Sequence, residues 1–208
     1  MKHLALILAL AAVVAVAATS PAFAEGKEVK GNPVVIMSTN YGDMEIELYP
    51  DKAPETVKNF LWYVDNKFYD GLIFHRVIDN FMIQGGGFTK DLVKKAGNAP
   101  IKNEAGNGLS NGVYTIAMAR TNDVNSATSQ FFINNKDNPA LDHRDETPRG
   151  FGYCVFGKVI KGDNVVDKIS KVATTSKNGM NDVPVKPVII EKAYRAGEPP
   201  AKKEKTTE

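Results

Sequence analysis

Cysteine is nearly absent from this chain: Cys154 is the only one among 208 residues. No internal disulfide can form, so stability has to come from packing. Histidine is almost as scarce, with His3, His75 and His143 the whole supply. A zinc site needs three or four closely spaced ligands, and two distant histidines with one cysteine do not provide them, so no metal is expected. A hydrolytic triad needs a nucleophile, a base and a group to orient that base. His143 stands among Asp142, Arg144, Asp145 and Glu146, which read as a solvated loop. His75, between Phe74 and Arg76 in an apolar strand pattern, reads as a structural histidine bonded to the backbone. An excess of one charge is missing too: 26 Lys and Arg against 24 Asp and Glu leave a net +2. That balance favours neither nucleic acid nor an anionic membrane.

Long apolar runs are missing except at the start. Leu4 to Ala18 is apolar, but its fifteen residues fall short of a membrane span. Lys2 and His3 precede it, and Ala22-Phe23-Ala24 has the small-x-small form of a signal cleavage site. We read 1–24 as a cleaved signal, with an uncleaved anchor as the alternative, and place the mature protein in a periplasm or beyond. No membrane association is expected after cleavage. Subtracting 24 from 208 leaves 184 residues, enough for one domain with a full core. Within them 25–32 reads as a lead-in, 33–196 as the domain and 197–208 as a disordered polar tail.

What the chain does contain is a series of short elements separated by Gly, Asn and Pro, the pattern of an all-β barrel or sandwich. Val34 to Ser38 and Met44 to Tyr49 read as strands joined by a turn at Asn40-Tyr41-Gly42-Asp43. In the second, Met44, Ile46 and Leu48 alternate with Glu45, Glu47 and Tyr49, so one face is buried. A helix is predicted from Pro54 to about Asn66-Lys67, with Val57, Phe60, Leu61 and Val64 as its apolar stripe. Trp62, on the same helix, is expected in the core. Asp163 to Ser170 reads as a second helix with Val165, Val166 and Ile169 on one side. Gly85-Gly86-Gly87 is not followed by Gly-Lys-Ser/Thr and opens no helix, so a phosphate loop is a poor reading. A sharp turn against a binding surface is the better one. Cys154, in an aromatic and β-branched run, reads as buried filler.

One stretch concentrates the chemistry: Phe74-His75-Arg76-Val77-Ile78-Asp79-Asn80-Phe81-Met82-Ile83-Gln84-Gly85-Gly86. In a regular strand Arg76 and Ile78 point one way and His75 and Val77 the other. After a turn at Asp79-Asn80, Phe81 and Ile83 separate by face from Met82 and Gln84. A charge amid apolar residues is costly unless it is paired or lines an open site. A surface salt bridge and a binding surface both satisfy Arg76.

That stretch resembles the signature of the cyclophilin peptidyl-prolyl isomerases. So do Ser129-Gln130-Phe131-Phe132-Ile133, Leu141-Asp142 and Val155-Phe156-Gly157-Lys158-Val159. The resemblance runs from about Pro33 to Val188. With Ile116-Ala117-Met118-Ala119-Arg120 and a long Asp142 to Gly152 loop, it is similar to the exported bacterial branch. It implies a closed eight-stranded antiparallel barrel with a helix at each end and a site on the outer face. It implies catalytic roles for Arg76, Phe81 and Gln84. Met82, Ala117, Met118, Ala119, Gln130, Phe132, Leu141 and Tyr153 would bind substrate. Phe81, Met82, Phe132 and Leu141 would hold a proline ring, and Arg76 would donate to the prolyl amide. Gln84 would orient Arg76 or the substrate carbonyl, and the Met118 backbone would hold an extended peptide. The implied partners are proline-containing peptides and unfolded exported proteins, acted on by a monomer without a cofactor. Two positions depart from the common pattern. Ala140 replaces a tryptophan that helps hold cyclosporin in the family, so weak cyclosporin binding is expected. Tyr153 stands where many relatives have histidine. A binding module of the same fold, without turnover, is the competing reading.

Overall fold

A computed structural model describes residues 31–197. The expected signal at 1–24, most of the lead-in and the tail beyond Gly197 lie outside the described residues. The chain order is β1 (Val34–Thr39), β2 (Gly42–Leu48), α1 (Pro54–Asp65), β3 (Leu72–Ile78), β4 (Met82–Thr89), β5 (Thr115–Met118), β6 (Phe131–Asn134), β7 (Val155–Lys161), α2 (Asp163–Ser170), β8 (Thr174–Lys177), β9 (Met180–Pro184) and β10 (Val188–Arg195). Eight of the strands close into an antiparallel barrel in the order β1-β10-β3-β4-β6-β5-β7-β2, as the resemblance implies. β8 and β9 form a separate two-stranded hairpin that the sequence reading did not foresee.

The local patterns explain most of these elements. Met44, Ile46 and Leu48 are fully buried while Glu45 and Glu47 lie on the other face. An eight-stranded barrel is just wide enough to be filled by side chains. Here Phe60, Tyr69, Phe74, Phe131 and Phe156 stack edge-on or tilted at 5.1–5.9 Å within one core cluster. The stripes of both helices, Val57-Phe60-Leu61-Val64 and Val165-Val166-Ile169, are buried in the same cluster. Trp62 is not: it is 46 % exposed and meets only the edge of Tyr63 among aromatic rings. The period of 3.6 sets position 62 opposite the buried stripe, which corrects the expectation of a core tryptophan.

The residue before helix α1 is Ala53, whose methyl group cannot cap the free N–H groups. Glu104 supplies the cap from a distant loop. Its carboxylate accepts from the N–H of Glu55 (3.2 Å), the N–H of Thr56 (2.9 Å) and Thr56 Oγ1 (2.7 Å). A negative charge at a helix N-terminus is also favoured by the peptide dipoles. Cys154 lies beneath this cap, 2 % exposed, with Sγ 3.5 Å from Thr56 Oγ1. Burial pushes its thiol up to about 11. It is filler, as read.

The glycine run departs from expectation. Gly85, Gly86 and Gly87 lie inside β4 rather than in a turn. Gly86 has φ +83, and a Cβ there would sit 2.9 Å from the Phe131 ring and the Ser129 carbonyl oxygen. Glycine is needed because β4 passes this close to β6 in a left-handed conformation.

Candidate active site

Strand β3 carries the charge, and a bulge decides where it points. Phe74 pairs with Gly85 and Arg76 with Gln84, so two steps along β3 match one along β4. The extra residue is His75. In a regular strand Phe74 and Arg76, two residues apart, would share a face. With the bulge Phe74 is fully buried in the core, while Arg76 emerges outside at 41 % side-chain exposure. A bulge re-aims a side chain at the cost of one unpaired residue.

His75 therefore does not share a face with Val77 as predicted. Val77 joins the core, whereas His75 lies against Phe88 (ring centroids 4.6 Å apart), in a cleft with Arg76, Met180, Asn181 and Asp182. Nδ1 of His75 has no hydrogen-bond partner, while the Ile73 backbone lies close enough to the ring to favour its protonated form slightly. Burial, reinforced by the neighbouring Arg76 charge, lowers its pKa to about 4. The imidazole is neutral at neutral pH.

Beyond the bulge the alternation resumes. Asn80 turns the chain with φ +54, and Phe81 joins Met82 on the outer side instead of separating from it, because it precedes the first paired residue of β4. Ile83 returns to the core and Gln84 to the outside. A second apolar cluster, distinct from the barrel core, forms on this outer face. Met82, Ala117, Phe132 and Val155 are its buried floor, and Ile78, Phe81, Leu109, Ala119, Leu141 and Tyr153 pack around them. Tyr153 stands edge-on to Phe132 at 5.6 Å. Seven residues singled out in the sequence thus meet in one patch. Ile78, Leu109 and Val155 were missed; the alternation of Val155 with core Phe156 was a usable signal, and Leu109 offered none.

Two groups expected at the site have partners within the protein. Met118 faces the barrel core, and its N–H donates to the Cys154 carbonyl (3.1 Å), so that N–H is not free for a peptide. Gln84 Nε2 donates to Gln130 Oε1 (3.0 Å) and not to Arg76. Arg76 is met instead by Asp182 of the hairpin, with Nε 3.6 Å from Oδ2.

The walls are tied from behind by buried asparagines that periodicity could not reveal. Asn138 Nδ2 donates to the Phe81 carbonyl (2.8 Å) and to Asn134 Oδ1 (2.7 Å). Asn134 Nδ2 reaches Thr115 Oγ1 (2.9 Å) and Asn111 Oδ1 (3.3 Å). Asn111 Nδ2 donates to the carbonyls of Leu141 (3.1 Å) and Tyr153 (3.4 Å). On the other flank Arg120 lies 4.8 Å from the Tyr153 ring and donates to the carbonyls of Gly152, Thr121 and Pro148. It thereby fixes the Asp142 to Gly152 loop. His143 is a brace in that loop rather than a solvated residue, with Nδ1 2.8 Å from the Phe151 carbonyl.

An apolar patch with guanidinium and amide groups at its edge suits a neutral apolar ligand carrying hydrogen-bond acceptors. Among the described residues no three His, Cys, Asp or Glu gather as a metal site.

Known proteins share this fold and much of this sequence. Residues 34–195 match the family model for cyclophilin type peptidyl-prolyl cis-trans isomerases. The peptidyl-prolyl cis-trans isomerase cyp18 of Streptomyces antibioticus is 58% identical over 78% of this chain and 98% of its own length. Peptidyl-prolyl cis-trans isomerase A of Dickeya dadantii is 50% identical over 90% of this chain and 95% of its own. A crystal structure of a cyclophilin type isomerase from Cryptosporidium parvum superposes with a TM-score of 0.69 at 27% identity, covering 81% of this chain and 99% of that one. The chain belongs to the cyclophilin type peptidyl-prolyl cis-trans isomerase family and is an enzyme of that class.

Proposed function

We propose that the protein turns X-Pro peptide bonds without covalent chemistry, with Arg76 as the donor that favours the twisted state. The amide's partial double bond sets a barrier of about 18–20 kcal/mol, and exchange without a catalyst takes tens of seconds or more. No bond has to break. The catalyst must only bind the twisted amide better than either planar form. Phe81, Met82, Phe132 and Leu141 hold the proline ring in a dry pocket, with Ala117, Ala119 and Tyr153 as its walls. As resonance is lost the prolyl nitrogen becomes a better acceptor, and the Arg76 guanidinium donates to it. Gln84 and Gln130, bonded to one another, face the substrate carbonyl.

The observation that carries this reading is the emergence of Arg76 from the barrel wall on the face that bears the second apolar cluster. A further structure of the Cryptosporidium parvum isomerase, in the presence of the dipeptide Ala-Pro, matches with a TM-score of 0.68. The test is cis-to-trans exchange in a short Ala-Pro peptide. A hydrogen bond to a charged group is worth about 1.5–3 kcal/mol, so Arg76→Ala should slow turnover by roughly one to two decades with little loss of stability. Unchanged turnover would remove Arg76 from the mechanism.

The finer biological reading is also ours. The signal at 1–24 directs export, and the mature monomer, with its domain over 33–196, acts on unfolded proteins in the periplasm or beyond. Intact mass of the exported form checks cleavage after Ala24. Ala140 is exposed beside Leu141 of the pocket, where a tryptophan would add an indole N–H. We expect weak cyclosporin binding that Ala140→Trp strengthens on titration; no gain would show that this loop does not reach the drug.

A further inference from the structure

We infer that Asp182 is a positioning residue for Arg76: the β8–β9 hairpin presents its carboxylate to Nε and so aims the rest of the guanidinium at the substrate. The inference rests on the isomerase reading of the site. A guanidinium has five N–H donors, only one of them on Nε. Oδ2 stands 3.6 Å from Nε, an ion-pair distance longer than a hydrogen bond, and a charge on that side leaves both terminal nitrogens free for the peptide while favouring one orientation of their plane.

The hairpin is built to make this contact. Thr175 pairs with Val183 and Lys177 with Met180, so β9 has one residue more than β8 between those pairs. The excess falls at Asn181-Asp182, and Asp182 has φ +61, a left-handed conformation uncommon outside glycine. Its neighbours pin it: Val183 and Pro184 are buried, and Ser176 Oγ bonds Asn181 Oδ1 at 2.8 Å. Two bulges, one at His75 and one at Asp182, therefore bring the arginine and the carboxylate together. Confinement matters because the arginine has room to leave. A cleft of about 330 Å³ opens beside Arg76, lined also by His75 and Phe88, and another of about 280 Å³ lies beside Ile78 and Asp79. Asp182 lines both. Gln84, the cross-strand neighbour of Arg76, is engaged with Gln130 and does not hold it.

Both side chains are about two-fifths exposed, and such a pair adds little to stability. A change in rate is therefore separable from a change in folding. Asparagine tolerates the left-handed backbone and removes only the charge, so Asp182→Asn is the informative variant. On an Ala-Pro peptide it should lower kcat about three- to tenfold with KM and melting temperature nearly unchanged. In the Arg76→Ala background it should do nothing further. Wild-type turnover should fall toward that of the variant near 1 M salt, where the screening length is about 3 Å. The Nε–Hε proton resonance of Arg76, narrow in wild type, should broaden in Asp182→Asn. Unchanged kcat in Asp182→Asn, beside an active wild type and a crippled Arg76→Ala, would overturn the positioning role and leave the isomerase reading intact. An inactive wild type would count against the isomerase reading. The resonance would then still decide whether Asp182 holds the arginine, and equal line widths would show that it does not.

Discussion

Arg76 and His75 are adjacent in the chain and opposite in consequence. The bulge that frees Arg76 for the outer face buries His75, 5 % exposed, with Nδ1 unpartnered. Burial lowers the histidine's pKa from 6.5 to about 4, so the folded protein binds this proton less readily than the unfolded chain. Above pH 6.5 both states are neutral there and nothing is lost. As pH falls from 6.5 to 4 the unfolded state takes up the proton first, and stability declines, by up to about 3 kcal/mol for a shift of this size. His75→Phe keeps the ring against Phe88 and cannot titrate. Denaturant midpoints at pH 7 and pH 4.5 should therefore differ less in the variant than in wild type. An equal difference would show that this histidine does not set the acid limb. The sequence identified both residues as special, and the family likeness picked Arg76. Alternation alone put His75 on the wrong face, because a bulge depends on the partner strand and leaves no mark in period-two patterning.

At the scale of elements, the helices and several strands could be read from their own residues. The stripe of α1 lies in the core as predicted, and the same period accounts for the exposure of Trp62. What holds the start of α1 was not legible, since Ala53 cannot cap and Glu104 is 48 residues from Thr56. Glu104→Ala leaves the N–H of Thr56 and of Glu55 without this acceptor. It should lower stability by about 1–2 kcal/mol, the usual cost of losing an N-cap. Urea unfolding checks this, and an unchanged midpoint would show that water replaces the carboxylate at no cost. The asparagine relay behind the pocket was equally hidden. Asn111, Asn134 and Asn138 resemble loop punctuation in the sequence. Yet all three are buried, and they hold the carbonyls of Phe81, Leu141 and Tyr153.

Across the whole molecule, one closed barrel carries two apolar clusters, one filling its interior and one on its outer face. Cys154 sits between the α1 cap and the strand β7, buried and with its thiol held near 11. It should resist a water-soluble thiol reagent at pH 8 while the barrel is closed. Its labelling rate in rising urea should follow unfolding of the whole domain. Rapid labelling of the native protein would reveal a local opening beneath α1.

The order of residues along the chain was sufficient for whatever depends on neighbours: the alternation of β2 and the stripes of α1 and α2. These are periodicities, and a period is a property of consecutive positions. Everything that required two distant segments came from closure of the barrel. The strand β4 turns Arg76 outward by its register with β3, and the hairpin sets Asp182 beside it. Glu104 caps a helix it does not belong to, and the buried asparagines tie three loops into one wall. Each of these contacts is set by register and burial between strands, which are fixed only when all eight have paired.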